Sequence, residues 1–146
     1  HLAGITSPAN HRRTISMEAI ALLHSVLLWL ALLAGAATAL KFALASHRHG
    51  GITSADRTLM VTFVGVMDVQ AVLGVAVFLG NDEGLAAAFE STLDMLSHAS
   101  LMLFALLAAH TAAHWSKSPT KLRHTLAATV LALLFAFAGT LALPRG

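Results

Sequence analysis

Apolar residues come in long unbroken runs along this chain, with short polar stretches between them. They do not follow the one-sided spacing of a surface helix. Four runs are long enough to cross a bilayer as helices, at about 18–46, 58–79, 92–115 and 122–143. The polar lead "HLAGITSPANHRRTISM" (1–17) reads as a flexible or surface-lying segment. "HRHGGITSADR", "GNDEG" and "SKSPTK" read as turns between the helices. Leu85–Glu90 reads as a short interfacial segment, and Pro144 as the stop of the last helix. The predicted fold is all-α: one integral membrane four-helix bundle spanning 18–146 after the lead.

Composition supports this picture. The chain has 146 residues, of which 57% are hydrophobic and 11% charged, and its mean hydropathy is +0.75. A soluble domain of this size has no interior large enough to hide so much apolar surface. No cysteine is present, which excludes disulfides, cysteine-ligated iron–sulfur clusters and thioether haem attachment. The pI of about 9.7 reflects loop charge and does not indicate nucleic acid as a partner. The first apolar run is too long for a signal-peptide core and reads as a true span, and because the chain begins at His1, residues upstream of it are expected.

Loop charge sets an expected orientation. Arg48, Arg57, Lys117, Lys121 and Arg123 lie in or beside the turns after helices 1 and 3, with Lys41 nearby. The turn after helix 2 carries Asp82, Glu83, Glu90 and Asp94 and no Lys or Arg. The positive-inside rule places the first two turns in the cytoplasm and both termini on the periplasmic side of a bacterial inner membrane; Arg12 and Arg13 run against it.

The nine histidines equal Lys plus Arg in number, and several fall inside the apolar runs. "HSVLLWLALLA" from His24 and "HASLMLFALLA" from His98 match at an offset of 74 (98 − 24), and the same offset brings Phe63 and Gly65 onto Phe137 and Gly139. This suggests two repeated helix pairs related by an axis along the membrane normal, which would hold His24 and His98 at equal depth. Each histidine lies about six residues, roughly 9 Å, into its helix. Each heads a face of small residues at helical spacing: His24, Leu28, Ala31 and Gly35, and His98, Met102, Ala105 and Ala109. Two neutral imidazoles at one depth on facing helices suit axial ligation of a planar haem b from both sides. The competing reading has each histidine bonded to a neighbouring carbonyl in ordinary packing.

Other polar residues in the spans carry weaker signals. His110 is 12 residues past His98, about 18 Å along the axis and 120° around it. His124 is the candidate partner for a second haem there, and His110 with His114 has metal-ligand spacing. Asp68 and Gln70 sit near the midplane two positions apart, so one is expected to face the interior and the other a neighbouring helix or subunit. A midplane carboxylate suits a proton relay, a hydrogen bond to quinol or a contact with a haem edge, or it is simply protonated and bonded to a carbonyl. Trp29 is too deep for an interfacial anchor, while Trp115 and His114 fall at headgroup level. Ala128, Ala132, Ala136 and Thr140 form a small-residue ridge for packing.

These residues resemble a family of small four-helix bacterial membrane proteins labelled cytochrome b-like. His24-Ser25-x-x-x-Trp29 is similar to that family's opening of helix 1, and Asp68 six before Gly74 to its helix 2. His98-x-x-x-Met102 followed by Ala105 is similar to its helix 3, and Pro144 to the end of its helix 4. The resemblance implies a haem site at His24 and His98, with Met102, Trp29 and Asp68 around it. Some members carry His where this chain has Asp68, so Asp there removes a third ligand and argues against a second haem on helix 2. The function expected is a b-type cytochrome or electron-transfer subunit. Its partners would be other subunits of a redox complex, lipid, and a quinone or an outward-facing electron carrier. The alternatives are a cofactor-free structural or assembly subunit, and a metal or proton transporter using Asp68, His110 and His114.

Overall fold

The computed structural model describes residues 8–48, 51–80 and 92–142. It contains α1 (Pro8–His47), α2 (Ser54–Gly80), α3 (Thr92–Trp115) and α4 (Leu122–Leu141), with a 3-10 turn, Pro119–Lys121, leading into α4. All four helices are long and apolar enough to cross a membrane, so the chain is a multi-pass membrane protein built as an all-α four-helix bundle. Neighbours in the bundle are α1/α2, α2/α3, α3/α4 and α4/α1. The helices therefore form a square in chain order, with α1 and α3 facing each other across its diagonal.

Two helix starts differ from the sequence reading. α1 begins at Pro8, so most of the expected lead is helical. Pro8 suits a first helical position, where its missing N–H is no loss, and nothing in 9–17 breaks a helix. α2 begins at Ser54, four residues before the expected start, because Thr53 and Asp56 cap it. The Asp56 carboxylate accepts hydrogen bonds from the Thr53 backbone N–H (2.9 Å) and hydroxyl (2.7 Å), and the Asp56 N–H donates to the Thr53 oxygen at 3.3 Å. Lys41, which the sequence suggested would reach the headgroups, lies 3.6 Å from the buried Asp56 carboxylate and ties α1 to this cap. Asp56→Ala is expected to cost about 1 kcal/mol and to lower the thermal midpoint of the detergent-solubilised chain. An unchanged midpoint would mean the cap does not hold α2. The expected segment Leu85–Glu90 and Pro144 lie outside the described residues.

The core runs along the bundle axis and is made largely of small side chains. Ala31, Ala105, Ala108, Ala109, Ala112, Ala128, Ala132 and Ala136 are buried, filled in by Phe42, Met60, Phe63 and Met67. Buried Thr38, Thr125 and Thr129 donate to the carbonyls of Ala34 (2.7 Å), Lys121 (3.1 Å) and Thr125 (2.8 Å), so among the described residues no hydroxyl enters the core unpaired. Such narrow side chains let the helices approach closely, as membrane bundles require.

Burial tests the repeat helix by helix. At offset 74, the buried Ala31, Gly35, Thr38 and Phe42 fall on the buried Ala105, Ala109, Ala112 and Ser116, so α1 and α3 correspond as the sequence suggested. The same offset fails for the other pair. Phe63 is buried and Phe137 is exposed, while Gly65 is exposed and Gly139 is buried. α2 and α4 align instead at an offset of 65, where the buried Met60, Phe63, Val64 and Met67 fall on the buried Thr125, Ala128, Thr129 and Ala132. The second helical hairpin therefore returns nine residues sooner than the first (74 − 65).

Candidate functional site

His24 and His98 lie near the N-terminal ends of their spans, on the interior side of α1 and α3, and each is partly buried. They are close enough to interact electrostatically across the diagonal. Each leans on a glycine of the helix beside it. A Cβ on Gly74 of α2 would stand 3.1 Å from the His24 ring, and the Gly139 carbonyl of α4 is bonded to the His98 ring. Gly74 and Gly139 are equivalent at the 65-residue offset (139 − 74), so the two histidine environments are related by the internal repeat.

The hydrogen bonds assign ring nitrogens. His98 Nδ1 lies 2.7 Å from the Gly139 carbonyl oxygen. A carbonyl only accepts, so Nδ1 carries the proton and, in the neutral ring, Nε2 keeps its lone pair. An imidazole held by one N–H with the other nitrogen free is oriented as a metal ligand needs to be. His24 Nε2 is 3.4 Å from Gln70 Nε2, while His24 Nδ1 and Gln70 Oε1 have no partner among the described residues although both atoms are buried. With the Gln70 amide turned so that its oxygen accepts the His24 ring N–H, the second ring nitrogen becomes a free lone pair. Gln70 is fully buried, and an orphaned amide oxygen at that depth is costly unless such a bond forms.

The buried core stops at this layer. Among the described residues, α1 has no buried side chain before Ala31, α3 none before Ala105, α2 none after Gln70 and α4 none after Gly139. Met102, one turn beyond His98, packs with its sulfur 3.1 Å from where a Gly139 Cβ would stand. It belongs to the α3/α4 contact beside the histidine.

Other expected site residues stand apart from this layer. Trp29 is 63% exposed on the outer surface of α1, about 140° around the helix from His24. Trp29→Phe is therefore expected to leave every property of the histidine site unchanged; a shifted haem spectrum in that variant would contradict this placement. Asp68 and Gln70 do point to opposite sides, and it is Gln70 that faces inward. Asp68 was the expected site residue; burial puts the Gln70 amide, not that carboxylate, beside His24. Asp68 accepts a 2.8 Å hydrogen bond from His110 Nε2 on the outer face between α2 and α3. His110 is thus partnered by Asp68 and not by His124, whose ring makes an edge contact with Trp115 at 5.6 Å. No cluster of three or more His, Asp or Glu with metal-binding geometry occurs among the described residues.

No protein-family model, curated protein or solved structure matches the chain.

Proposed function

We propose that the chain is a b-type cytochrome, acting as the membrane-embedded electron-transfer subunit of a redox complex in a bacterial inner membrane. His24 and His98 would hold one haem b between α1 and α3. The observation that carries this reading is the paired imidazole layer: two partly buried rings on diagonal helices, with His98 fixed by Gly139 so that its Nε2 is free. The donor set fits. A porphyrin supplies four nitrogens of its own, so the imidazoles of His24 and His98 would hold the iron without a three-ligand protein cluster. When bound, haem b supplies a one-electron couple. The rest belongs to the chain. Gly139 and Gln70 orient the two rings, and Gly74 lets the His24 ring lie against α2.

The basic turns after α1 and α3 support a cytoplasmic placement for that end of the bundle, with the histidine layer and both termini toward the periplasm. Haem titration of the purified chain tests the reading. One equivalent is expected to bind as a six-coordinate low-spin species. A stoichiometry of two, or a five-coordinate product, would sink the single bis-histidine site.

Gln70→Leu offers a finer test. Without an acceptor for the His24 N–H, that imidazole is a weaker donor and the oxidised iron is less stabilised. Haem should be retained while its midpoint potential rises by about 40 mV, the net worth of one hydrogen bond for a one-electron couple. An unchanged potential would mean that Gln70 does not act on His24.

A further inference from the structure

The Asp68–His110 pair has no role in holding the two histidine ligands, and its position is unusual. Asp68 is 14 residues into the 27-residue α2, near the middle of the span. Yet the side chains of Asp68 and His110 are 49% and 53% exposed, on the outer face of the bundle. One turn away on the same faces lie exposed Val72 and Leu107, with Leu103 a turn further. The pair therefore faces hydrocarbon, where an ionisable couple is costly and calls for a function. It also sits on the α2/α3 seam, the least extensive of the four helix contacts.

The geometry points to a docking site for the hydroxyl of a membrane quinol. Asp68 Oδ1 and His110 Nε2 share one hydrogen bond, which leaves Asp68 Oδ2 and His110 Nδ1 for a ligand. In either net-neutral form of the pair, carboxylate with imidazolium or carboxyl with imidazole, Oδ2 accepts and Nδ1–H donates, and neither atom has a partner among the described residues. Their complement is a hydroxyl, which both donates and accepts, on a molecule that travels within the hydrocarbon. Acyl chains carry no donor, and phospholipid headgroups do not reach mid-span. A quinol ring has the donor and the solubility. Asp68 is six residues, about 9 Å of helix rise, from the Gly74 that meets the His24 ring, so the pair lies deeper in the span than the histidine layer. The choice of a redox-active ring over another lipid-soluble alcohol rests on the cytochrome reading; the Asp68–His110 pair itself does not.

The test uses the full chain in lipid nanodiscs under anaerobic, reducing conditions. Retention of a decyl-substituted benzoquinol and of a short-chain naphthoquinol is measured against empty discs, and haem content is scored separately on the same samples. Saturable binding of at least one of the rings, one per chain, is expected. Asp68→Asn and His110→Phe should each weaken it about tenfold, the worth of a charge-assisted hydrogen bond. Haem content should stay at the wild-type level. If His110→Phe does not fold, the near-isosteric Asp68→Asn carries the test. No saturable retention of either ring, or wild-type retention in the variants that fold, overturns the proposal. So does a loss of thermal stability with quinol binding unchanged, because the pair is then only a clamp between α2 and α3. Loss of the haem band alone would bear on the cytochrome reading and leave quinol retention to be read independently.

Discussion

His98→Ala is expected to abolish stable haem retention in the purified chain while leaving its helix content intact. The expectation follows from where His98 stands. Its ring is partly buried at the interior edge of α3, and its one protein bond is to the Gly139 carbonyl. Truncation removes one axial nitrogen and leaves that carbonyl without this donor. The backbone cost is about 1 kcal/mol, too little to unfold a bundle whose core begins two turns deeper, at Ala105. A haem held by His24 and His98 would lose half of its protein ligation. The expected reading is a fall in bound haem of tenfold or more at equal protein, with circular dichroism unchanged. His24→Ala should behave alike, because the two histidines are equivalent in the repeat. If either variant retains full haem with a low-spin spectrum, that histidine is not a ligand.

Gly35→Leu is the substitution expected to damage the bundle most. Gly35 is buried on α1, and a Cβ there would fall 2.6 Å from Leu133 Cδ2 and 2.7 Å from Phe63 Cε2. Leu133 is only partly buried and has room to turn aside. Phe63 is 1% exposed, so its ring has nowhere to go without moving α2. Overpacking of this kind costs about 3 kcal/mol, which for a small bundle is a large share of its stability. Phe63→Ala should recover much of the loss in the double variant, because both changes act on one space. Unfolding of the single and double variants in mixed micelles measures the coupling. Additive effects would show that Gly35 and Phe63 do not share that space.

The sequence pattern revealed those parts of the molecule that physics makes periodic. Four spans, their order and the interior faces led by His24 and His98 were legible because lipid demands long apolar runs and close packing demands small residues at helical spacing. Burial of Ala31, Gly35, Ala105 and Ala109 follows directly from those faces. The helix 2 and helix 4 correspondence was misplaced by nine residues. In Leu- and Ala-rich spans, one Phe–Gly match at a convenient offset carries little information, and turn length leaves no mark on hydropathy. The start of α2 was written in the sequence as Thr53-x-x-Asp56, but the glycines before it drew the reading toward a loop. Gln70 was the harder case. Two polar residues two apart must face opposite ways, yet only packing decides which faces inward. Likewise, nothing along the chain joins Asp68 to His110.

The central claim is two-histidine ligation of one haem b, and the most direct measurement of it is the chain purified from its own membrane. Its reduced-minus-oxidised spectrum and low-temperature electron paramagnetic resonance should be recorded on the same sample. The account predicts a b-type α-band and a low-spin ferric signal of bis-imidazole ligation, at one haem per chain. Absence of the band, or a high-spin signal from an iron with a single imidazole, would contradict it.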